Sequence, residues 1–154
     1  MSLQRELGLN KPFRNHAHET LLNIVLTGTL LMKEARNVLQ PYGLTEAQFN
    51  ILMLLKHQCK NGRTNQTELG RMLLVNRSNV TGLIDRMEQA GLVRRIPDAV
   101  DRRVHQIEMT DAGRATLESC EQLYYRRIED VMAKLSPERR DRLIEELESL
   151  RERL

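Results

Sequence analysis

A single change in hydrophobic spacing, within residues 67–109, constrains the fold of this chain more than any other feature of the sequence. Up to Gly91 the apolar residues are spaced as in helices, and glycine at that point is typical of a helix C-terminus. Residues 92–96 and 104–109 are then typical of short strands. On the second strand, the residues expected on one side are His105, Ile107 and Met109. The block is therefore predicted to form two short helices followed by a β-hairpin.

Further helices are predicted on both sides of this block. Together with the two short helices, they span residues 14–40, 45 to about 60, 67–74, 77–90, 110–134 and 136 onward. Pro41 ends the first helix, and Thr45 with Gln48 fits a capping box at the start of the second. The first short helix follows a threonine cap, Asn76 caps the second, and Ser136 caps the last. These elements predict a mainly α fold with a small β-hairpin.

The second short helix is polar at its exposed N-terminal end. In a helix-turn-helix unit this helix lies in the major groove of DNA, and free amides at its start favour phosphate. The candidate DNA contacts are Asn76, Arg77, Ser78, Asn79, Thr81 and Arg86 on this helix, with Gln66 and Thr67 at the start of the helix before it. We expect Asp85 and Glu88 to face away from DNA because carboxylates repel phosphates.

The hairpin continues this cationic character. Arg95 lies on its first strand, and Arg102 and Arg103 lie in the loop, where arginine can enter the narrow minor groove. Asp101 can pair with a neighbouring arginine and brace the loop. Residues 71–103 contain seven arginines and four acidic residues, so this block alone carries the net charge of +3 found for the whole chain.

Two alternatives compete with DNA binding. Polar helix starts are often only caps, and arginines at a loop tip often only improve solubility, so neither feature alone would indicate DNA. A winged helix used for protein–protein contact would more often expose apolar residues on the second helix. An enzyme is the least favoured class, because the sequence contains no nucleophile–base set and no GxxxxGK[ST] phosphate loop.

Composition excludes several other classes. The most apolar stretch, residues 21–32, is too short to span a bilayer, and no secretory signal begins the sequence, so we expect a cytoplasmic protein with no membrane partner. Cys59 and Cys120 form no metal-binding motif, and His16 and His18 point to different faces of a helix. We therefore expect no metal and no cofactor.

Four stretches resemble the MarR family of bacterial transcription regulators, namely residues 43–52, 66–74, 76–93 and 98–113. The most specific part is Asp101-Arg102-Arg103 followed by an apolar-Thr-x-x-Gly run that ends at Gly113. The resemblance covers nearly the whole chain. It implies a winged helix-turn-helix fold and sequence-specific binding of double-stranded DNA at a pseudo-palindromic operator. It also places Arg102 in the minor groove, with Asp101 and Arg103 bracing the wing.

The resemblance further implies a homodimer whose first helix and last two helices intertwine with those of the partner. It divides the chain into an N-terminal dimerisation helix (1–40), the DNA-binding domain (41–109) and C-terminal dimerisation helices (110–154). The repeat along the last helix agrees with this, since its apolar side needs a partner face. That side consists of Leu143, Leu147, Leu150 and Leu154. Packing against the first helix of the same chain is the alternative, and both can hold.

Many MarR-family members respond to small anionic aromatic ligands, and others sense oxidation or metal. The resemblance therefore implies a regulator, with a repressor relieved by such a ligand as the leading hypothesis. The reactive cysteine of the oxidation-sensing members lies near the start of their chains, where this chain has none. Of the two cysteines, Cys59 has basic neighbours and is the better candidate for a redox sensor, whereas inert, partly buried thiols are the alternative.

Overall fold

The computed structural model describes residues 2–73, 80–98 and 104–154. Its elements are helices α1 (Leu3–Glu6), α2 (His16–Leu39) and α3 (Glu46–His57), strand β1 (Arg63–Asn65), helices α4 (Gln66–Met72) and α5 (Val80–Gln89), strands β2 (Val93–Pro97) and β3 (His105–Met109), and helices α6 (Asp111–Met132) and α7 (Pro137–Arg151). Short 3₁₀ turns follow α2 and α3. The predicted mainly helical fold with a small β element is confirmed.

The β element has one strand more than predicted. The sheet order is β1-β3-β2, and both pairings are antiparallel, with Arg63 opposite Glu108 and Arg95 opposite Ile107. Strand β1 has only three residues, all polar, so it lacks the alternation of apolar and polar residues that would predict a strand. Ile107 and Met109 are buried as expected, whereas His105 is exposed because it lies at the outer end of the sheet, beyond the core.

Most of the predicted helix ends agree with the structure. The Thr45 capping box is confirmed, since the Gln48 amide donates to Thr45 Oγ1 at 3.3 Å and Gln48 Oε1 accepts from the Thr45 amide at 2.9 Å. Gly91 ends α5 with φ at +71°, as expected for a C-terminal glycine. The threonine cap predicted before α4 is wrong, because Asn65 accepts from the Glu68 amide instead. Ser136 holds the cap position of α7 without a capping hydrogen bond from its side chain.

One hydrophobic core connects the three predicted parts of the chain. It contains Leu39 from α2, Phe49 from α3, Ile84 from α5 and Leu117 from α6, each almost fully buried. The ring centroids of Phe49 and of Tyr124 in α6 lie 4.4 Å apart. The long helices α2 and α6 therefore pack directly on the unit formed by α3, α4, α5 and the sheet.

An ion cluster adds a polar link between α3 and α6. Glu121 of α6 pairs with Lys56 Nζ and, at 2.6 Å, with His57 Nε2, and its side chain is only 12% exposed. Burial alone would raise the pKa of Glu121, but hydrogen bonds from Lys56 and His57 outweigh it and lower the pKa below its ordinary value of 4.5. The ionised carboxylate therefore stabilises the fold.

Glu121→Gln is expected to lower the free energy of unfolding by about 1–2 kcal/mol at pH 7, because the charge-assisted hydrogen bonds are lost. A carboxyl with a lowered folded-state pKa contributes its full stability above the unfolded pKa and loses it as pH falls through the folded pKa. The difference in melting temperature between variant and wild type should therefore shrink below pH 4.5. Circular dichroism scans from pH 3 to 7 measure this difference, with the exposed Glu118→Gln as control. A difference independent of pH would contradict this role.

Candidate nucleic-acid interface

Helices α4 and α5 meet at a polar contact between Gln66 and Thr81 and at a close approach between Gly70 and Val80. Gln66, the first residue of α4, donates from Nε2 to Thr81 Oγ1 of α5 at 2.6 Å. Where the helices cross, a Cβ on Gly70 would lie 3.7 Å from Val80 Cγ2, so the glycine allows a close but ordinary approach. These contacts fix the angle between the two helices of a helix-turn-helix unit.

Helix α5 buries one side and exposes the other. Its buried residues are Val80, Leu83, Ile84 and Met87. Thr81 and Arg86, both predicted DNA contacts, are exposed on the described part of this helix. The predicted contacts just before it, Asn76, Arg77, Ser78 and Asn79, lie outside the described residues, as does the predicted cap by Asn76. Thr67 follows Gln66 at the start of α4.

The acidic residues of α5 are paired with Arg95 of β2. Arg95 Nη2 lies 2.5 Å from Asp85 Oδ1, and Nη1 lies 2.5 Å from Glu88 Oε2. The backbone N–H of Arg95 donates to Glu88 Oε1 at 2.9 Å and is the main cause of a lowered pKa at Glu88. The side chain of Arg95 is only 24% exposed. The sequence predicts Arg95 as a DNA contact, whereas in the structure its guanidinium is occupied by these two carboxylates.

This pairing is the main feature that sequence reasoning missed. Asp85 and Glu88 are three residues apart and lie on one side of α5, and an arginine follows on the next strand, so a weak local signal exists. The sequence does not indicate which of two adjacent arginines would reach them. In the structure Arg94 turns instead to Glu108 of β3, with Nη2 2.6 Å from Oε2.

The wing consists of strands β2 and β3 and the loop between them. Hydrogen bonds connect the two sides of its described base. The Asp98 amide donates to the Val104 carbonyl at 2.9 Å, and Gln106 Nε2 donates to Asp98 Oδ2 at 2.7 Å. The tip residues predicted to contact DNA or brace the loop, Asp101, Arg102 and Arg103, lie outside the described residues. These contacts hold the described ends of β2 and β3 together at the base of the wing.

The wing also connects to α6 through a compact turn. Thr110 Oγ1 donates to the Gly91 carbonyl at 2.6 Å and accepts from the Gly113 amide at 3.0 Å, and the Thr110 amide donates to the Leu92 carbonyl at 3.1 Å. One residue therefore links the end of α5, the start of β2 and the first turn of α6. The DNA-binding unit is thereby joined rigidly to the long helices.

Comparison with known proteins now identifies this arrangement. Residues 44–105 match the model of the MarR family. The HTH-type transcriptional repressor YetL of Bacillus subtilis is 35% identical over 128 residues, which cover 80% of this chain and 76% of YetL. The chain belongs to the MarR family. Because MarR proteins are transcriptional regulators, this chain is a DNA-binding regulator of transcription and not an enzyme.

Solved structures agree with the MarR assignment. Sco3205, a MarR family regulator from Streptomyces coelicolor solved in complex with DNA, is 26% identical with a TM-score of 0.81, and the match covers 94% of this chain and 92% of that one. The regulator RdhR-CbdbA1625, solved with 2,4-dichlorophenol bound, shares the fold with a TM-score of 0.81 at 21% identity, over 94% of this chain and 87% of that one. The predicted winged helix-turn-helix class is confirmed.

The cysteines of this MarR protein lie in surroundings that disfavour the thiolate. Cys120 is fully buried and Cys59 is partly buried, and burial raises the pKa of both thiols. Both environments fit the interpretation of inert thiols better than that of redox sensors.

Two negative findings apply to the described ranges 2–73, 80–98 and 104–154. There, no three His, Cys, Asp or Glu side chains come together in a way that could hold a metal ion. In the same ranges, every helix is either too short or too polar to cross a membrane.

Proposed function

We propose that the chain is a repressor that binds a pseudo-palindromic operator as a homodimer, with α5 in the major groove and the wing at the minor groove. One observation carries the proposal. The Gln66–Thr81 hydrogen bond sets α4 against α5 so that the polar side of α5 stays exposed next to the strand that leads into the wing. The repressor assignment is supported by the name of YetL, and operator binding by the DNA complex of Sco3205.

Within this proposal the predicted contacts divide into three groups. Base-edge contacts come from the start of the recognition helix, from Asn76, Arg77, Ser78, Asn79 and Thr81, because that end enters the major groove. Gln66, Thr67 and Arg86 contact the phosphate backbone of the DNA and set the register of the protein on the operator. Arg102 enters the minor groove and Arg103 supports it, with Asp101 as the brace.

The homodimer is supported by apolar side chains that the single chain leaves exposed. Helix α7 has no buried residue in the part of the chain that the structure describes. Leu143, Leu150 and Leu154 are exposed, and Leu147 is half-buried. Helix α2 adds further exposed apolar residues, namely Leu21, Val25, Leu30 and Met32. An exposed apolar surface of this extent indicates an interface, and a second copy of the chain offers the matching surface by two-fold symmetry.

A ligand-relieved mechanism is supported by a cleft between the DNA-binding unit and α6. Its volume is about 470 Å³, which suits a small aromatic molecule, and it is lined in part by Met53, Leu54, His57, Met72 and Tyr125. Its polar lining comes from Asn50, Gln58 and the ring of His57, whose Nε2 also pairs with Glu121. We place the regulator in the cytoplasm because its proposed partner is chromosomal DNA.

Arg102→Ala is expected to weaken operator binding about tenfold or more, because each subunit loses a minor-groove cation. The slope of log K against log salt should decrease in magnitude by about 2 for the dimer, one counterion for each wing. Fluorescence anisotropy on a duplex selected from a random-sequence pool by the wild-type protein, at several salt concentrations, measures both quantities.

Arg126→Ala is the matched control, because it removes the same charge from an exposed position in the middle of α6. It should change the slope little. An unchanged slope for Arg102→Ala would contradict the role of the wing arginine. A wild-type protein that selects no duplex from the pool would contradict the proposed function as a whole.

A further inference from the structure

Arg95 joins the strand that leads into the wing to the helix that reads DNA. Its side chain donates to Asp85 and Glu88 on α5, and its backbone N–H donates to Glu88 as well. We propose that Arg95 is a positioning residue for operator recognition, which fixes β2 against α5 and neutralises both carboxylates instead of contacting DNA. The inference rests on the proposed function and assigns Arg95 a different role from the one that its sequence position suggests.

We call the contacts of Arg95 with Asp85 and Glu88 the clamp. Their geometry supports a positioning role for Arg95 more than a contact with DNA. A guanidinium that reaches two carboxylates from its two terminal nitrogens has a fixed orientation, whereas a lysine ammonium could make only a point contact. The side chain of Arg95 is 24% exposed, compared with 64% for its neighbour Arg94, which pairs within the sheet. The two arginines carry the same charge on the same strand, so they differ mainly in what they tie together.

Charge gives the clamp a second effect. Asp85 lies one turn after Thr81 on the exposed side of α5 and is not turned away from the predicted DNA contacts as the sequence suggests. An unpaired carboxylate there would face DNA phosphates. Glu88 has a lowered pKa and is ionised at neutral pH. If the Arg95 side chain moved to a phosphate, both carboxylates would lose the guanidinium next to a polyanion. Arg95 therefore cannot bind a DNA phosphate without exposing the two carboxylate charges that it now neutralises.

Specific recognition depends on this clamp more than non-specific binding does. Base readout by α5 and groove insertion by the wing must occur in one docked geometry, so a loosened angle between them costs sequence discrimination. Binding to arbitrary DNA depends on total positive charge and tolerates such loosening. The ratio of the two affinities therefore reports on positioning.

The test compares wild type, Asp85→Asn/Glu88→Gln, Arg95→Lys and the control Arg94→Ala. The probes are a duplex selected from a random pool by the wild-type protein and a scrambled duplex of the same composition. The double variant removes the two negative charges that hold Arg95 and makes the protein more positive. If Arg95 contacted DNA, the variant would therefore bind both duplexes at least as tightly as wild type does. Positioning predicts instead that the ratio of selected to scrambled affinity falls roughly tenfold, while scrambled binding stays equal or strengthens.

Arg95→Lys separates the two roles from the other side. Lysine keeps the charge that a phosphate contact needs but cannot hold both carboxylates, so positioning predicts a similar loss of the ratio with an unchanged salt slope. Arg94→Ala should keep the ratio within about twofold of wild type, because an exposed pair within the sheet contributes little. Thermal unfolding of each variant checks that the fold persists.

Two outcomes overturn the inference. One is a double variant that binds the selected duplex as well as wild type with the ratio preserved, and the other is an Arg95→Lys variant that retains the ratio. In both, wild type still discriminates the duplexes, so the proposed function stands. A wild type that does not discriminate them would overturn that function, and this inference with it.

Discussion

Gly113→Ala is expected to lower the free energy of unfolding by about 3 kcal/mol, because the added methyl has no space in a closely packed turn. A Cβ at this position would lie 2.1 Å from the Leu92 carbonyl oxygen, 3.0 Å from the Leu92 carbonyl carbon and 3.1 Å from Met109 Cγ. The nearest of these is backbone, and it accepts the Thr110 amide, so it cannot move without breaking that hydrogen bond. Thermal unfolding should show a melting temperature lower by roughly 10 °C.

Gly70→Ala is the matched control. Gly70 in α4 is, like Gly113 in α6, a buried helical glycine, but its Cβ would make an ordinary contact, 3.7 Å from Val80 Cγ2. Because alanine has a higher helix propensity than glycine, this variant should be as stable as wild type or slightly more stable. A Gly113→Ala protein as stable as wild type would show that the turn between the wing and α6 can open without cost, which contradicts the rigid link inferred from Thr110.

The sequence predicts most of the local structure because each predicted helix end or strand depends on near neighbours. The Thr45 capping box and the glycine at position 91 act within a few residues, and both are confirmed. Strand β1 depends on pairing with β3, far along the chain, and its three polar residues carry no local pattern. The cap of α4 is wrong for a similar reason, since Thr64 and Asn65 are adjacent and both residue types form good caps.

The candidate site is predictable to the level of which elements form it and not to the level of which side chain does what. The polar side of α5 and its proximity to the hairpin follow from periodicity, as Thr81 and Arg86 illustrate. The partner of Arg95 follows from how β2 lies against α5, which only tertiary packing determines. A basic residue beside a recognition helix therefore indicates DNA binding for the unit without assigning that role to each arginine in it.

Replacing two leucines of α7 is expected to have the largest effect on DNA binding. Leu143→Glu/Leu147→Glu places charges on the side of α7 that we propose packs against a second copy, where Leu143 is 43% exposed in the single chain. Two-fold symmetry doubles each substitution, and burial of the part of four leucine side chains that the single chain leaves exposed contributes about 3 kcal/mol to association. Introduced carboxylates would also have to be buried without a partner, which adds to the cost. Sedimentation equilibrium at micromolar concentration should therefore show a monomer.

The consequence for DNA follows from avidity. Two recognition helices on one rigid dimer bind two half-sites, and the second contact forms at high effective concentration. A monomer keeps every side chain of the interface with DNA but loses this advantage, so affinity for the selected duplex should fall about a hundredfold or more. Glu145→Ala/Glu148→Ala changes the opposite side of the same helix and should remain dimeric with wild-type affinity. A leucine double variant that stays dimeric would instead assign α7 to packing within its own chain, and the partner face would then have to be sought on the exposed apolar side of α2.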